Sequence, residues 1–441
     1  MKYFFPDSQD LVDPSFDFRS EERDRARLRQ RDDVYAHEVF GTRAFDGLLV
    51  SKGIVDGFSE TSSRYSLAQR HRLLRAGAPE FFRIRDAKFT PILLMGDCGA
   101  FTYLNEPQPP YSVDQVLSFY VDCNFDYGLS IDHVILSFQP QWDTPGGKSD
   151  IPAHLVRRRE LTIELAAEFL KKQRRARLGF KPLGVAQGWS PRSYAASVAA
   201  LQKMGYDYVA VGGMVPLKTP EILKVLEAVS TVRKPTTRLH LLGVTRTEQM
   251  PLFASFGVAS FDSTSPLRQA FKDDKNNYYT LTDAYTAIRV PQTDGNASLQ
   301  KRIRAGQVKQ EHARRLEKAC LRAMEEFALR RASLQSTLRL LREYEELYDP
   351  RHDHTEAYRR VLEERPWTHC SCDICSSLGH HVILFRGAER NRRRGLHNVW
   401  VFYRRLQHHL QPTDVKAVGT RNGAQRERQS TSWNRACGGR K

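Results

Sequence analysis

Residues Leu183 to Gly213 read LGVAQGWSPRSYAASVAALQKMGYDYVAVGG. Two short apolar runs, LGVAQG and YDYVAVGG, flank an amphipathic segment, SYAASVAALQKMG, that closes at Gly205, a residue suited to end a helix. Runs that are apolar on both faces predict strands buried on both sides, and a helix between two of them predicts that they lie parallel. The same alternation extends outward, from about Ile92 to Phe261, through PILLMGD, IDHVILSF, LHLLGV and VASFD, with LVRRRELTIELAAEFLKKQRRARLG as a further helical segment. So many repeats favour a closed (β/α)8 TIM barrel over an open doubly wound sheet, for which no glycine-rich dinucleotide fingerprint is present. In such barrels chemistry collects where strands end. Here each run ends at Gly, Asp or Gln.

The chain has 441 residues, enough for one large barrel with an appendage or for two to three ordinary domains. Its formal charge of +17 favours a polyanionic partner, with nucleic acid leading and an anionic membrane surface behind it. No apolar run approaches the ~20 residues of a membrane span. The beginning, MKYFFPDSQDLVDPSFDFRS, carries acids and prolines where a signal peptide needs a basic start and an apolar stretch. A cytoplasmic protein with no membrane partner is expected. The division expected is an N-terminal segment and barrel over residues 1–345, a zinc-binding subdomain with a closing helix over 346–410, and a basic, disordered tail over 411–441 able to help hold nucleic acid. A long charged helical region from about Gln300 to Tyr348 leads from the first to the second.

Cys370, Cys372 and Cys375 are three of only seven cysteines, spaced C-x-C-x2-C, and His397 follows in GLHNVWVFYRRL. An odd count with one tight cluster suits a reducing compartment and a metal site better than a disulfide framework. Three thiolates and one imidazole complete a tetrahedral structural zinc site with no position left for a catalytic water. His380 and His381 are rival fourth ligands. His397 is preferred because a helical segment would hold its ring rigidly, although spacing alone also permits His380. The RNRRRG between the thiols and His397 would lie on a metal-pinned surface open to phosphates, or be a merely solvated loop.

Asp97 in MGDCGAFTY and Asp262 in FGVASFDSTSPLRQAF each follow an apolar run. Alone, a strand-end Asp is more often a helix cap or loop hydrogen-bonder. Two carboxylates brought to one barrel mouth could divide nucleophile and acid/base roles.

Taken in order along residues 92–406, these motifs resemble the tRNA-guanine transglycosylase superfamily, zinc-containing TIM-barrel enzymes that exchange a guanine for a 7-deazaguanine base. The resemblance implies that Asp97 transfers protons and that Asp262 is the nucleophile, forming a covalent glycosyl intermediate. It implies base contacts from Asp132 in SIDHV, from Gln187 and Gly188 in GVAQG, and from Gly212 and Gly213 in VAVGGMVPL. It also implies zinc on Cys370, Cys372, Cys375 and His397. Phe101 is suited to stack on the base and Leu242 to cover its other face; as simple core residues they would need no such role. Cys98, Ala100 and Thr102 depart from the family's serine, glycine and glutamine. Lys218 stands near the point where aminomethyl-binding members carry a glutamate, which favours the neutral nitrile, 7-cyano-7-deazaguanine (preQ0). The VPL and the short interval from Asp97 to Asp132 look more like the archaeal-type branch, which uses that nitrile, but no C-terminal tRNA-binding domain of the archaeal kind follows the zinc region, and the combination looks most like the DNA-modifying members. The expected function is exchange of guanine in DNA for that base as part of a DNA modification system. A helper protein that opens the DNA would fit the need to reach a stacked base. The alternatives are a tRNA-modifying enzyme and a catalytically silent zinc protein that binds nucleic acid.

Overall fold

Eight short parallel strands close on themselves in the computed structural model, which describes residues 1–57, 64–85, 91–144, 146, 150–272 and 275–411. They are β1 (Lys2–Pro6), β2 (Gly47–Ser51), β3 (Leu93–Asp97), β4 (Tyr127–Leu129), β5 (Lys181–Ala186), β6 (Tyr208–Val211), β7 (Arg238–Leu241) and β8 (Val258–Asp262). β1 pairs with β2 on one side and β8 on the other, so no edge is left open. Phe4, Leu49, Met95, Leu129, Leu183 and Tyr208 fill the interior, which makes it a packed core rather than a pore.

The helix expected between β5 and β6 runs from Pro191 to Met204. Pro191 sets its first turn, the Ser190 hydroxyl accepts from the Ser193 N–H, and Gly205 ends it at φ 104°. Its inner face buries Tyr194, Val198 and Leu201. Two strands were not legible from the repeat. β1 and β2 come from KYFFP and GLLVS, with residues 7–46 between them carrying one four-residue helix, Ala36–Val39, in place of an amphipathic crossover. IDHVILSF is not itself a strand. β4 ends before it, and Ile131, Val134 and Ile135 are buried in a stretch without regular secondary structure.

The charged region forms three helices, Ala297–Arg304, Gln310–Ala328 and Leu334–Tyr348. The last two bury Leu316, Met324 and Phe327 with Leu338, Leu341 and Tyr344 in the main core. The long helix Gly387–Leu410 then returns to the barrel and covers its first and last strands. Its Phe402 ring lies 5.0 Å from Tyr3 and 6.1 Å from Phe261, and the Tyr403 hydroxyl donates to Asp46 at 2.8 Å. At Gly395 a Cβ would stand 2.7 Å from the Leu267 side chain, so the helix lies hard against the segment that follows Asp262. No helix among the described residues is long and apolar enough to cross a membrane. Of the expected basic tail, residues 412–441 lie outside the described residues.

The reading of RNRRRG as a phosphate-facing surface is overturned. Arg390, Arg393 and Arg394 are 2%, 7% and 0% exposed, inside the helix Gly387–Leu410. Arg390 pairs with Glu21 and the Phe18 carbonyl, and Arg393 with Glu389 and the Asp13 carbonyl. Arg394 donates to the carbonyls of Leu384 (3.0 Å) and Ala270 (2.6 Å). The excursion between β1 and β2 folds over the first two of these and supplies Phe18 and Glu21 to Arg390 and the Asp13 carbonyl to Arg393. Burial alone would push the Glu21 carboxyl up, but Arg386 and Arg390 hold it down at about 2.

Candidate active site and metal centre

The barrel mouth is built from strand ends. β3 finishes at Asp97, where the chain turns through Gly99 at φ 88°; a Cβ there would lie 2.5 Å from the Ser51 hydroxyl and 2.7 Å from the Gly53 nitrogen. That turn returns the Gly99 N–H to Asp97 Oδ2 at 3.0 Å. Thr102 closes the same turn by donating to the Gly99 carbonyl. Phe101 follows in the helical turn Ala100–Tyr103 and is 53% exposed, so it is not a core residue. Leu242, one residue beyond β7, packs half-buried against the barrel interior.

Asp132 is buried, with both oxygens engaged. Gln187 Nε2 donates to Oδ2 at 2.6 Å, and the Cys98 thiol donates to Oδ1 at 3.3 Å. Tyr103 backs this pair through its hydroxyl, which lies 3.0 Å from Cys98 Sγ and 3.1 Å from the Asp132 carbonyl. Gln187 Oε1 in turn accepts the Ile135 N–H at 3.1 Å, which gives the irregular stretch after β4 a partner it lacks in the sheet. Gly212 lies so near Gln187 that a Cβ would meet its Nε2 at 2.2 Å. Gly213, at φ 71°, leaves only 2.4 Å between such a Cβ and the Ile135 carbonyl. Gly188 sits against Tyr194, whose hydroxyl donates to the Gly212 carbonyl at 2.9 Å.

Asp262, the last residue of β8, is 8% exposed. Its Oδ1 accepts from His240 Nε2 at 3.2 Å and from the Gly243 N–H at 3.1 Å. Thus Asp97, Asp132, Gln187, Gly188, Gly212, Gly213 and Asp262 gather at the C-terminal ends of β3 to β8. Lys218 stands apart from them, exposed at the cap of the helix Thr219–Ser230 that follows β6.

The carboxyl groups share one electrostatic field. Burial, then the negative charges of Asp132 and Asp262, pushes the Asp97 carboxyl up to about 7. Burial also pushes Asp132 up to about 6, against the bonds from Gln187 and Cys98 that favour its charged form. Near neutrality the mouth therefore contains a carboxyl that exchanges a proton readily, which is what acid/base work requires. Burial followed by the Asp132 charge raises the Cys98 thiol far above its usual range, so Cys98 is a donor and not a thiolate nucleophile. His240 is the functional neighbour that sequence reading missed. Its signal was a lone polar side chain inside LHLLGV.

Cys370, Cys372, Cys375 and His397 form a second constellation, their ligand atoms all within 4.8 Å of one another. Cys372 caps the helix Asp373–Leu378, and its sulfur accepts the Cys375 N–H at 3.3 Å. The ring of His397 is fixed from two sides. Nε2 bonds the Tyr279 carbonyl at 2.7 Å, which leaves Nδ1 facing the sulfurs, and Tyr278 stacks on the ring at 4.3 Å. The neighbouring Asn398 accepts from the Tyr279 N–H and donates to the carbonyls of Pro266 and Asn277. The His380 and His381 rings lie 4.2 Å apart, tilted by 32°, and fall outside this group. The four ligand residues could hold a metal ion.

No family model matches the chain. A curated protein, the DNA-guanine transglycosylase of Salmonella montevideo, is 49% identical to it over 414 residues, covering 93% of this chain and 97% of that protein.

Proposed function

From the premise that the chain belongs to the DNA-modifying branch of the tRNA-guanine transglycosylase superfamily, we infer that it replaces guanine in DNA by 7-cyano-7-deazaguanine through a covalent glycosyl link to Asp262. The observation that carries this reading is the gathering of Asp97, Asp132 and Asp262 at one barrel mouth, with Asp97 pushed up to about 7 by burial and by the other two.

Breaking the bond between C1′ and N9 builds positive charge at C1′, and a carboxylate captures it as a glycosyl ester, as in retaining glycosidases. Asp262 takes that role. Asp97 delivers a proton to the departing purine and accepts one from the incoming base, which suits a carboxyl poised near neutrality. Asp132 accepts the N1–H and amino protons that mark a guanine-like edge, displacing Gln187, whose amide then serves the O6 and N7 side. Gly188, Gly212 and Gly213 bring backbone close to the base. Phe101, exposed beside Asp97, stacks on one face and Leu242 covers the other. No acid stands at position 218 to favour a cationic aminomethyl base, which leaves the neutral nitrile as the substrate.

Zinc is the metal that fits the second constellation. Bond lengths of about 2.3 Å to sulfur and about 2.0 Å to nitrogen in a tetrahedron place S and N about 3.5 Å apart. The three sulfurs lie 3.7, 3.3 and 3.4 Å from His397 Nδ1. A closed set of this kind supplies scaffolding and no reaction chemistry. It would tie the helix Gly387–Leu410, through His397, to the turn that carries the three cysteines.

The enzyme acts in the cytoplasm as part of a DNA modification system, and a stacked target base calls for flipping, with a helper protein to open the duplex. Mass spectrometry of nucleosides tests the reading, using DNA and tRNA from cells that express this chain and are supplied with the nitrile base. The 7-deazaguanine nucleoside is expected in DNA. Its appearance in tRNA alone would refute the assignment.

A further inference from the structure

We propose that His240 is a positioning residue that selects the reacting oxygen of Asp262 and assists the second half of the exchange, an inference that rests on Asp262 being the nucleophile. His240 is wholly buried on β7. The pairing of β7 with β8 shifts between Leu239 and His240, so that His240 lies opposite Ser260 while Leu239 lies opposite Val258. Such an irregularity re-aims a side chain beside an active site. Here it turns the ring along β8, with Nδ1 at 2.6 Å from Ser260 Oγ and Nε2 at 3.2 Å from Asp262 Oδ1. Beyond Ser260 stands the Tyr208 hydroxyl, hydrogen-bonded to the same Oγ.

These contacts have one consistent direction when Asp262 is a carboxylate and His240 is neutral. Asp262 can only accept, so Nε2 carries the proton. Nδ1 then accepts from the Ser260 hydroxyl, and Ser260 accepts from Tyr208. The tautomer of His240 is thus set from within the barrel core, two groups away from the substrate. The Gly243 N–H adds a second donor to the same Oδ1 at 3.1 Å. Among the described residues no donor reaches Oδ2. Oδ2 is therefore the oxygen left to bond C1′.

In the first half-reaction a lone pair on Oδ2 forms the bond to C1′, while the C1′–N9 pair leaves with guanine, whose N9 is protonated. Oδ1 becomes the ester carbonyl oxygen and keeps both donors. In the second half N9 of the incoming base loses its proton to Asp97 and bonds C1′, and the C1′–Oδ2 pair returns to the carboxylate. Negative charge then grows on a carboxylate whose Oδ1 already has two fixed donors, the arrangement of an oxyanion hole. Such donors favour the carboxylate over the ester. They speed release of the glycosyl group more than they speed its capture.

The test uses the full-length protein with labelled guanine-containing DNA, and guanine as the incoming base. Single-turnover gels give the rate of adduct formation and, after guanine is added, the rate of adduct decay; peptide mapping locates the adduct. His240→Phe should slow decay by about 10²- to 10³-fold, the range for losing one oxyanion-hole donor, and change formation by less than about threefold. The adduct should then accumulate. His240→Gln, whose amide can return an N–H toward Oδ1, should recover much of the decay rate. Ser260→Ala, a smaller change that keeps the comparison alive should His240→Phe fail to fold, should slow decay by about 3- to 10-fold. Unchanged decay in the folded variants overturns the proposal. So does an equal fall in formation and decay that Gln does not relieve. An adduct mapped to a residue other than Asp262 overturns both the proposal and the nucleophile reading, whereas an Asp262 adduct with normal decay in the variants overturns the proposal alone.

Discussion

The barrel mouth and the metal centre use the same material, buried polar side chains, and treat it in opposite ways. At the metal centre nearly every group has its partner. His397 is held by the Tyr279 carbonyl, Cys375 by the Tyr278 hydroxyl, and Asn398 by three backbone groups. At the mouth, Asp97 stands in the field of two other acids, and the Gly99 N–H of its own turn and the Ser51 hydroxyl do not offset that field and its burial. Unrelieved repulsion is a cost to folding that a structural site avoids and a reactive site retains. The comparison therefore assigns stability to one region and chemistry to the other, and each can be attacked separately.

The largest effect is expected at the metal centre. Structural zinc sites contribute on the order of 10 kcal/mol to folding, so Cys372→Ala should yield little folded protein, and metal analysis of the parent should find one zinc per chain. A soluble, fully active, metal-free Cys372→Ala protein would erase the contrast. Next comes Asp97→Asn, which keeps the shape of the side chain and removes its proton exchange. Base exchange measured with labelled guanine should fall by about 10²- to 10⁴-fold while the circular dichroism spectrum is unchanged. A smaller effect sharpens the same point. Because the folded pKa of Asp97 is raised from 3.8 to about 7, the folded protein binds more protons than the unfolded chain across that window and loses stability as pH rises through it. Asp97→Asn should thus melt about 1 to 4 °C higher than the parent at pH 8 and at the same temperature at pH 4. A variant less stable at pH 8 would mean that Asp97 supports the fold.

Much of the mouth was legible because the strand rhythm and the chemistry coincide. Asp97, Gln187 and Asp262 each end or follow an apolar run, and closing the barrel necessarily brings such ends together. What escaped depends on contacts that no local pattern contains. KYFFP and GLLVS lie outside the repeat that runs from Ile92 to Phe261, and no amphipathic helix joins β1 to β2 to announce them. In LHLLGV, His240 resembles an ordinary buried histidine until the shifted pairing sets it between Ser260 and Asp262. A run of arginines ordinarily marks a solvated face. Three of the four arginines of RNRRRG are buried, and Arg390 finds its acid in Glu21, 369 residues earlier in the chain. Spacing permits His380 as well as His397; the helical segment favours His397, and the Tyr279 carbonyl and the Tyr278 ring hold that ring toward the sulfurs.

The central claim is that Asp262 forms the covalent bond and Asp97 moves the protons. Denaturing gel electrophoresis tests it most directly, with Asp262→Ala, Asp97→Ala and the parent each incubated with labelled guanine-containing DNA, and tRNA in parallel. The parent should form a DNA adduct and Asp262→Ala none, because no other group at the mouth is placed to capture C1′. Asp97→Ala should exchange bases poorly yet still build adduct slowly. An adduct that persists in Asp262→Ala and vanishes in Asp97→Ala would contradict the account.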